Sequence, residues 1–540
     1  MVTQNIHSQT GEAVDSDDTD KSTFSSAGST EPQSSPTEPL TDSAVLNTSE
    51  SGSQTITDGG GTAADTDGSD GENPGGMTKG VADLLGNPKK AMIKVSIPVM
   101  IALFFESIYN LVDTFWVAGL GAEALAAVGL AFPFFIALMA IATGIGVGAG
   151  SAVSRAIGSK DKKSADKFAT HAIIFAVIMS FISWLAVPLM EPIFMLMGAD
   201  ASLAAVTAGY MNPFIFCSFS IFLLNVGNSL LNSEGNSRKT MFATIVGAVL
   251  NMILDPIFIF DWGLGLGVNG AAYASVLSFS VSTAMIMYWL LIQKKTYVTI
   301  RFKGFRFEWP IIRDIIIVGI PAMVSQLTMS ISTVLLNAIV LNVGGTDGAA
   351  IYSTGWRIIS IGIMPMMGLA TGVTTMSGVS FGGRDIKKLK SIYYFGIQIG
   401  LVLEVLIAAG VFIFADPIAG IFATGESAYL QADIAEFLQI MCLIFLFLPA
   451  NILTSSMLQG LKMGPSALVL TLIRAFVFEV PIAYLLGVYM GMGLPGVFIG
   501  ALAGDFIVMV ISFIFGNYVI HNLMKLYRKP VIDTHDSTKM

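Results

Sequence analysis

Eight ionisable side chains interrupt otherwise apolar runs of this chain: Glu106, Asp113, Asp255, Arg357, Glu404, Arg474, Glu479 and Asp505. A charge at the centre of a membrane-crossing helix costs about 2.5–3.5 kcal/mol, so each one calls for a reason. Asn251 and Asp255 are four residues apart and therefore share one helix face. Pro256 follows, and its missing N–H frees the carbonyl of Met252 as another oxygen. Glu106, Asn110 and Asp113, at i, i+4 and i+7, share a face of a second helix. If the two helices adjoin, two carboxylates and an amide converge. Such a cluster can hold Na+ through hard oxygen ligands, and it can equally carry protons. The bland reading, a polar pair that glues helices together, uses the same residues, and spacing alone leaves both open.

The elements that position these residues follow from composition. Of 540 residues, 53% are hydrophobic and only 12% charged, with mean hydropathy +0.71. A soluble protein carries about 25% charged residues and could not cover its surface with half that number. The chain is therefore read as a polytopic membrane protein. Twelve apolar runs, centred near residues 106, 136, 181, 216, 250, 281, 328, 362, 403, 443, 477 and 508, are each long enough to cross as a helix. None alternates at period two, which excludes a transmembrane barrel. Of the 29 Lys and Arg, 26 lie before the first span, after the last, or in loops after even-numbered spans. Loops after odd-numbered spans hold none, so the positive-inside rule places both termini in the cytoplasm.

The net charge of -9 is misleading as an average. Residues 1–76 hold 14 acids against Lys21, so this tail carries -13 and the body +4. The tail is rich in Ser, Thr, Asp and Gly and is expected to be disordered. It is no secretory signal peptide, and Met77 opens a stretch that reads as a complete N-terminus. Cys217 and Cys442 lie in apolar runs, and the four histidines are scattered, so no disulfide framework, metal motif or histidine-built site is expected. Net charge gives no reason to expect a nucleic-acid partner.

The basic stretch 294–313 divides the spans six and six, and the halves resemble each other. Ile97-Pro98 matches Ile320-Pro321, Gly158-Ser159-Lys160-Asp161 matches Gly382-Gly383-Arg384-Asp385, and Pro256 matches Pro481, at offsets of 223, 224 and 225. Two like-oriented repeats imply a pseudo-twofold axis along the membrane normal, a plan that suits a secondary transporter. In the second half Asp113, Asn251 and Asp255 face Leu336, Phe476 and Val480. The scaffold thus accepts apolar residues at these places, which points to function for the acids. Arg357 and Arg474 are expected to pair with Glu404, Glu479 or Asp505. The series Gly144, Gly146, Gly148 and Gly150 reads as close helix packing rather than a phosphate loop. Met364, Met366, Met367 and Met376 read as core.

Several segments resemble the multidrug and toxic compound extrusion (MATE) family, over residues 77 to about 525. They are IPVMIALFFESIYNLVDTFWVAGLGAEALAAVGLAFP, NMILDPIFIF, GVNGAAYASVLS and the loop pieces GSKDKK and GGRDIKK. The likeness is greatest to the prokaryotic DinF-like branch, whose acidic pair lies in the N-terminal lobe. The long acidic tail departs from the family pattern. The resemblance implies cation-coupled export of amphipathic, often cationic, drugs or metabolites through a V-shaped cavity between two lobes. It puts the family's cation-binding aspartate on Asp113, its NxxxDP pair on Asn251 and Asp255, and its span-six hydroxyl on Ser275. Pro98 matches the proline about which the first helix is thought to bend.

The expectation is thus an all-α protein of twelve transmembrane helices in two pseudo-twofold-related six-helix bundles. It comprises a tail (1–76), an N-lobe (77–293), a cytoplasmic linker (294–313), a C-lobe (314–522) and a cytoplasmic tail (523–540). Asp113, Asn251, Asp255 and Ser275 would bind Na+ or H+, with Glu106 and Asn110 lining the cavity. No cofactor is called for, and a monomer in the plasma membrane with a small-molecule substrate is expected. The nearest rival, a lipid-linked oligosaccharide flippase, would favour cavity arginines or lysines for its pyrophosphate, whereas the first-half spans hold acids and no base. An integral membrane enzyme would need a DDxxD, HExxH or paired-histidine motif, and none is present.

Overall fold

The computed structural model describes residues 77–293, 295–423 and 425–528. The acidic tail and residues 529–540 lie outside the described residues. Helices dominate, and their starts are written in the sequence. Asn87 caps α2 (Pro88–Ala118) by accepting the N–H groups of Lys89 and Lys90, with Pro88 at the first helical position. A short helix, α1 (Lys79–Leu85), precedes it and is held to it by an ion pair between Asp83 and Lys94. Then come α3 (Ala122–Gly158), α4 (Lys162–Trp184), α5 (Ala201–Phe216), α6 (Ser218–Ser233), α7 (Ser237–Ile259) and α8 (Gly267–Met287). The second half holds α9 (Trp309–Gly382), α10 (Ile386–Ile413), α11 (Gln431–Met441), α12 (Ile444–Gly460), α13 (Gly464–Leu472) and α14 (Gly493–Arg528).

Among the described residues nine helices are long and apolar enough to cross a membrane. The pairs α5–α6 and α11–α12, bent by 49° and 48°, each make one more span. The 74-residue α9 is two helices joined at Gly345, whose φ of 60° and ψ of -153° break the ladder. The total is the twelve spans expected from the sequence.

The repeat is visible in the backbone as well. Lys160 and Arg384 both adopt positive φ, 60° and 55°. The next residues, Asp161 and Asp385, then cap α4 and α10 by accepting the N–H groups of Ser164 and Lys388. The loop pieces GSKD and GGRD are the same turn used twice. Within the first half α2 packs on α7, α3 on α6 and α7 on α8; within the second, α12 packs on α9, α10 and α14.

The halves meet where α3 crosses α9. A side chain on Gly148 would stand 2.3 Å from the Ile315 carbonyl oxygen, and one on Gly158 only 2.0 Å from that of Val379. Gly146 and Gly150 face the other way, where Ser229 and Ser233 of α6 donate to their carbonyls at 2.6 and 2.9 Å. The glycine series is therefore a packing device on two faces of one helix. Asp314 of α9 closes the seam by pairing with Arg155 of α3 at 2.8 Å and with Lys462. Ser151 donates to the Gln459 carbonyl beside it, at 2.5 Å. These contacts lie at the end of the bundle that carries the Lys- and Arg-bearing loops, called here the basic end.

The segment between α8 and α9 is fastened along the basic end of the first half by its backbone. Glu234, wholly buried, accepts the N–H groups of Tyr297 and Val298 at 2.7 and 3.2 Å. Asp166 accepts that of Thr299 at 2.7 Å, and Lys162 donates to the Tyr297 carbonyl at 2.6 Å. Burial outweighs these hydrogen bonds and pushes the Glu234 carboxyl up to about 7. A folded-state value above the unfolded one means stability that is full below about pH 4.5 and lost as pH rises through about 7. The shift corresponds to about 3 kcal/mol. Thermal unfolding of the wild type should therefore fall between pH 5 and pH 8 relative to Glu234→Gln, which cannot ionise. Parallel pH profiles for the two proteins would contradict this.

Candidate functional site

The acidic helix faces do adjoin. Asn251 and Asp255 sit on the buried face of α7, 2% and 0% exposed, and Ser275 of α8 is 7% exposed beside them. The Asn251 amide donates to Asp255 Oδ1 at 3.0 Å and to Ser275 Oγ at 3.1 Å. Asp113, on α2, lies within electrostatic reach of Asp255. Three oxygens of this cluster, Asp113 Oδ1, Asn251 Oδ1 and Asp255 Oδ2, are buried with no hydrogen-bond partner among the described residues. Buried polar atoms are normally satisfied, so an orphaned trio needs an explanation. A bound cation or proton supplies one, and the all-oxygen donor set suits a hard ion. No group of three or more His, Cys, Asp or Glu among the described residues is placed to hold a metal ion.

The other expected residues take different positions. Asn110 is exposed, and its amide donates to the Glu106 carbonyl of its own helix at 2.9 Å. Glu106 is half-buried. Pro98 is buried in an unbroken α2, next to the stretch where a side chain on Gly368 of α9 would stand 2.4 Å from Met100. Two tyrosines were not expected. Tyr109 and Tyr210 both lie within electrostatic reach of Asp113 and Asp255. Tyr109 is four residues before Asp113 and so was readable from helical spacing. Tyr210 comes from α5 and has no sequence signal; packing alone brings it in.

The second half has its own charged cluster. Arg474 pairs with Asp505 at 3.3 Å, and Ser332 donates to Glu479 at 3.3 Å. Arg474 and Glu479 both lie within a π turn, Ile473–Glu479, which brings both to one side despite their five-residue separation. Glu479 and Asp505 line a cavity with Tyr352, Trp356 and Phe498. Ion pairing was expected for both arginines. Arg357 departs from that: it is exposed and makes no ion pair among the described residues, because its helix turns that face away from the cluster. Met366 and Met376 are fully buried, as core residues should be, whereas Met367 is 45% exposed.

Glu404 is also unpaired. It is wholly buried on α10, and neither carboxyl oxygen has a partner among the described residues. Leaving a buried polar group unsatisfied costs about 1–3 kcal/mol. Glu404→Leu is therefore expected to raise thermal stability by that order, read as a higher unfolding temperature in detergent. A lower one would mean that the carboxyl has a stabilising role.

A pseudo-symmetric pair of six-helix bundles, glycine-sealed at one end and carrying the orphaned oxygens of Asp113, Asn251 and Asp255 in its first bundle, defines a multi-pass membrane protein of the transporter type. Comparison with known proteins places it further. The family model described as MatE matches twice, over residues 98–257 and 321–485, once in each repeat. The chain belongs to the MatE family. It is 26% identical to a FAD transporter of Shewanella oneidensis over 73% of this chain and 87% of that protein. It is 25% identical to the multidrug export protein MepA of Staphylococcus aureus, over 75% and 88%. Among solved structures, MATE in complex with MaL6 superposes with a TM-score of 0.82 at 38% identity, over 83% of this chain and all of the other. A MOP superfamily transporter from Pyrococcus furiosus, described as having a binding pocket of reversed polarity, gives 0.80 at 39%, over 83% and 99%.

Proposed function

We propose that this protein is a cation-coupled antiporter that exports amphipathic, cationic small molecules. The orphaned oxygens of Asp113, Asn251 and Asp255 carry this reading, because an ion filling that site removes three unsatisfied groups at once. Asn251 and Ser275 hold the Asp255 carboxylate in place, and Asp113 brings the second negative charge. An ion that binds one conformation more tightly than the other shifts the equilibrium between them, and nothing else about its binding does. The first half buries Asp255 and Asn251 inside the bundle, while Arg155 of α3 is engaged by Asp314 at the basic end, and this favours a cationic cargo over a pyrophosphate-linked one. The MepA likeness supports drug export; the FAD-transporter likeness makes an anionic nucleotide the comparison cargo. The basic end is assigned to the cytoplasm by its Lys and Arg loops, with both termini on that side of the plasma membrane. A single chain contains both lobes, 77–293 and 314–522, joined by the 294–313 linker, and acts as a monomer.

Proteoliposomes loaded with a fluorescent cationic dye test this, with Na+ and pH gradients imposed separately. Export driven by one gradient names the coupling ion. Export of the dye with neither gradient, or uptake of a flavin nucleotide in its place, would count against the reading.

A further inference from the structure

We propose that the segment between α8 and α9 is a docking strip for the anionic headgroups of the adjoining membrane leaflet, the occupant being an acidic phospholipid. The way the strip is fastened carries the argument. Its holding contacts use the backbone: the N–H groups of Tyr297, Val298, Thr299, Arg301 and Glu308 bond Glu234, Asp166, Thr170 and His171. The acids facing the strip are thereby occupied, and its own acid, Glu308, pairs with Lys167 at 2.8 Å. The outward side chains are left as cations and aromatics. Arg301, Lys303 and Arg306 are exposed and make no ion pair among the described residues. Between them stand Phe302 and Phe307, 53% and 60% exposed, followed by Trp309 at 60%.

Position selects the partner. The strip leaves one membrane-crossing helix at Gln293 and enters the next at Trp309, so it runs at headgroup level. Exposed aromatics at that depth favour the interface, and unpaired cations there attract acidic lipids at about 1 kcal/mol each. A soluble polyanion would use the cations but leave the three aromatic rings in water. The three rings therefore favour lipid.

The test uses the full chain in nanodiscs and does not depend on transport, so it stands or falls apart from the antiporter reading. Brominated phosphatidylglycerol or brominated phosphatidylcholine is added at equal mole fraction, and tryptophan quenching is recorded. Trp309→Phe isolates the contribution of Trp309 among the six tryptophans. The brominated acidic lipid should quench Trp309 more strongly than the neutral one at low salt. Each neutralised cation should lower the apparent affinity for it about five-fold. The excess should vanish in the Arg301→Gln, Lys303→Gln, Arg306→Gln variant and shrink in high salt, where charges are screened beyond about 3 Å. Equal quenching by the two lipids in the wild type would overturn the proposal. So would an excess that survives both the triple variant and high salt.

Discussion

Asp255→Asn should abolish gradient-driven export while leaving the protein folded. The asparagine amide keeps the shape of the carboxyl, and its oxygen can still accept from the Asn251 amide, now 3.0 Å from Asp255 Oδ1. What disappears is the negative charge that would let an ion bind one conformation more tightly than the other. Without that difference the ion shifts no equilibrium, and export should fall at least about a hundredfold. Asp113→Asn should behave alike, because its unpaired Oδ1 belongs to the same cluster. Ser275→Ala is the graded control: it loses one contact with Asn251 and should weaken apparent ion affinity only about five-fold, corresponding to about 1 kcal/mol. Ser275→Thr keeps the oxygen and should restore it. Dye flux from proteoliposomes under separate Na+ and pH gradients reads all four variants. Wild-type flux in both aspartate variants would remove this cluster from the mechanism.

The second large effect concerns the seam at the basic end. Asp314 receives Arg155 from the other half at 2.8 Å, with side-chain exposures of 15% and 11%, and it also pairs with Lys462. Removing one partner of a largely buried pair costs about 3–5 kcal/mol, and the residual exposure lowers that to about 2. If the seam opens during transport, Asp314→Asn should shift the population away from the closed basic end about thirty-fold. Spin labels placed across that end would report it as longer distances. Gly158→Val acts more severely, since its new side chain would overlap the Val379 carbonyl, 2.0 Å from the ideal position of Cβ. The basic end should then be unable to close, and transport should stop although expression and helicity persist. Unchanged distances in both variants would show the seam to be static packing.

These expectations draw on two levels of information, and the residues show where they divide. Span number, the six-plus-six repeat and helix starts follow from local chemistry. Apolar runs of sufficient length must be helical in lipid, and Asn87, Asp161 and Asp385 cap their helices through contacts two or three residues away. Asn251 and Asp255 share a face for the same reason. Helical periodicity operates over a few residues, and a single sequence displays it directly.

The remainder needed contacts between residues far apart in the chain. Arg155 and Asp314 are 159 residues apart, and nothing in their spacing announces a pair. Tyr210 enters the acidic cluster only because α5 packs nearby, and Arg357 leaves the expected ion cluster because its face turns outward. The π turn that brings Arg474 and Glu479 together defeats a spacing rule written for the α-helix. The strip of Arg301, Lys303 and Arg306 was read as a divider between repeats. Its outward side chains became a surface only once Glu234 and Asp166 were seen to hold its backbone. Sequence alone settled that this chain crosses a membrane twelve times as a duplicated bundle, because insertion depends on local hydropathy. Which polar groups meet, and which are left without partners, depended on how helix faces are rotated against one another, and only tertiary packing decides that.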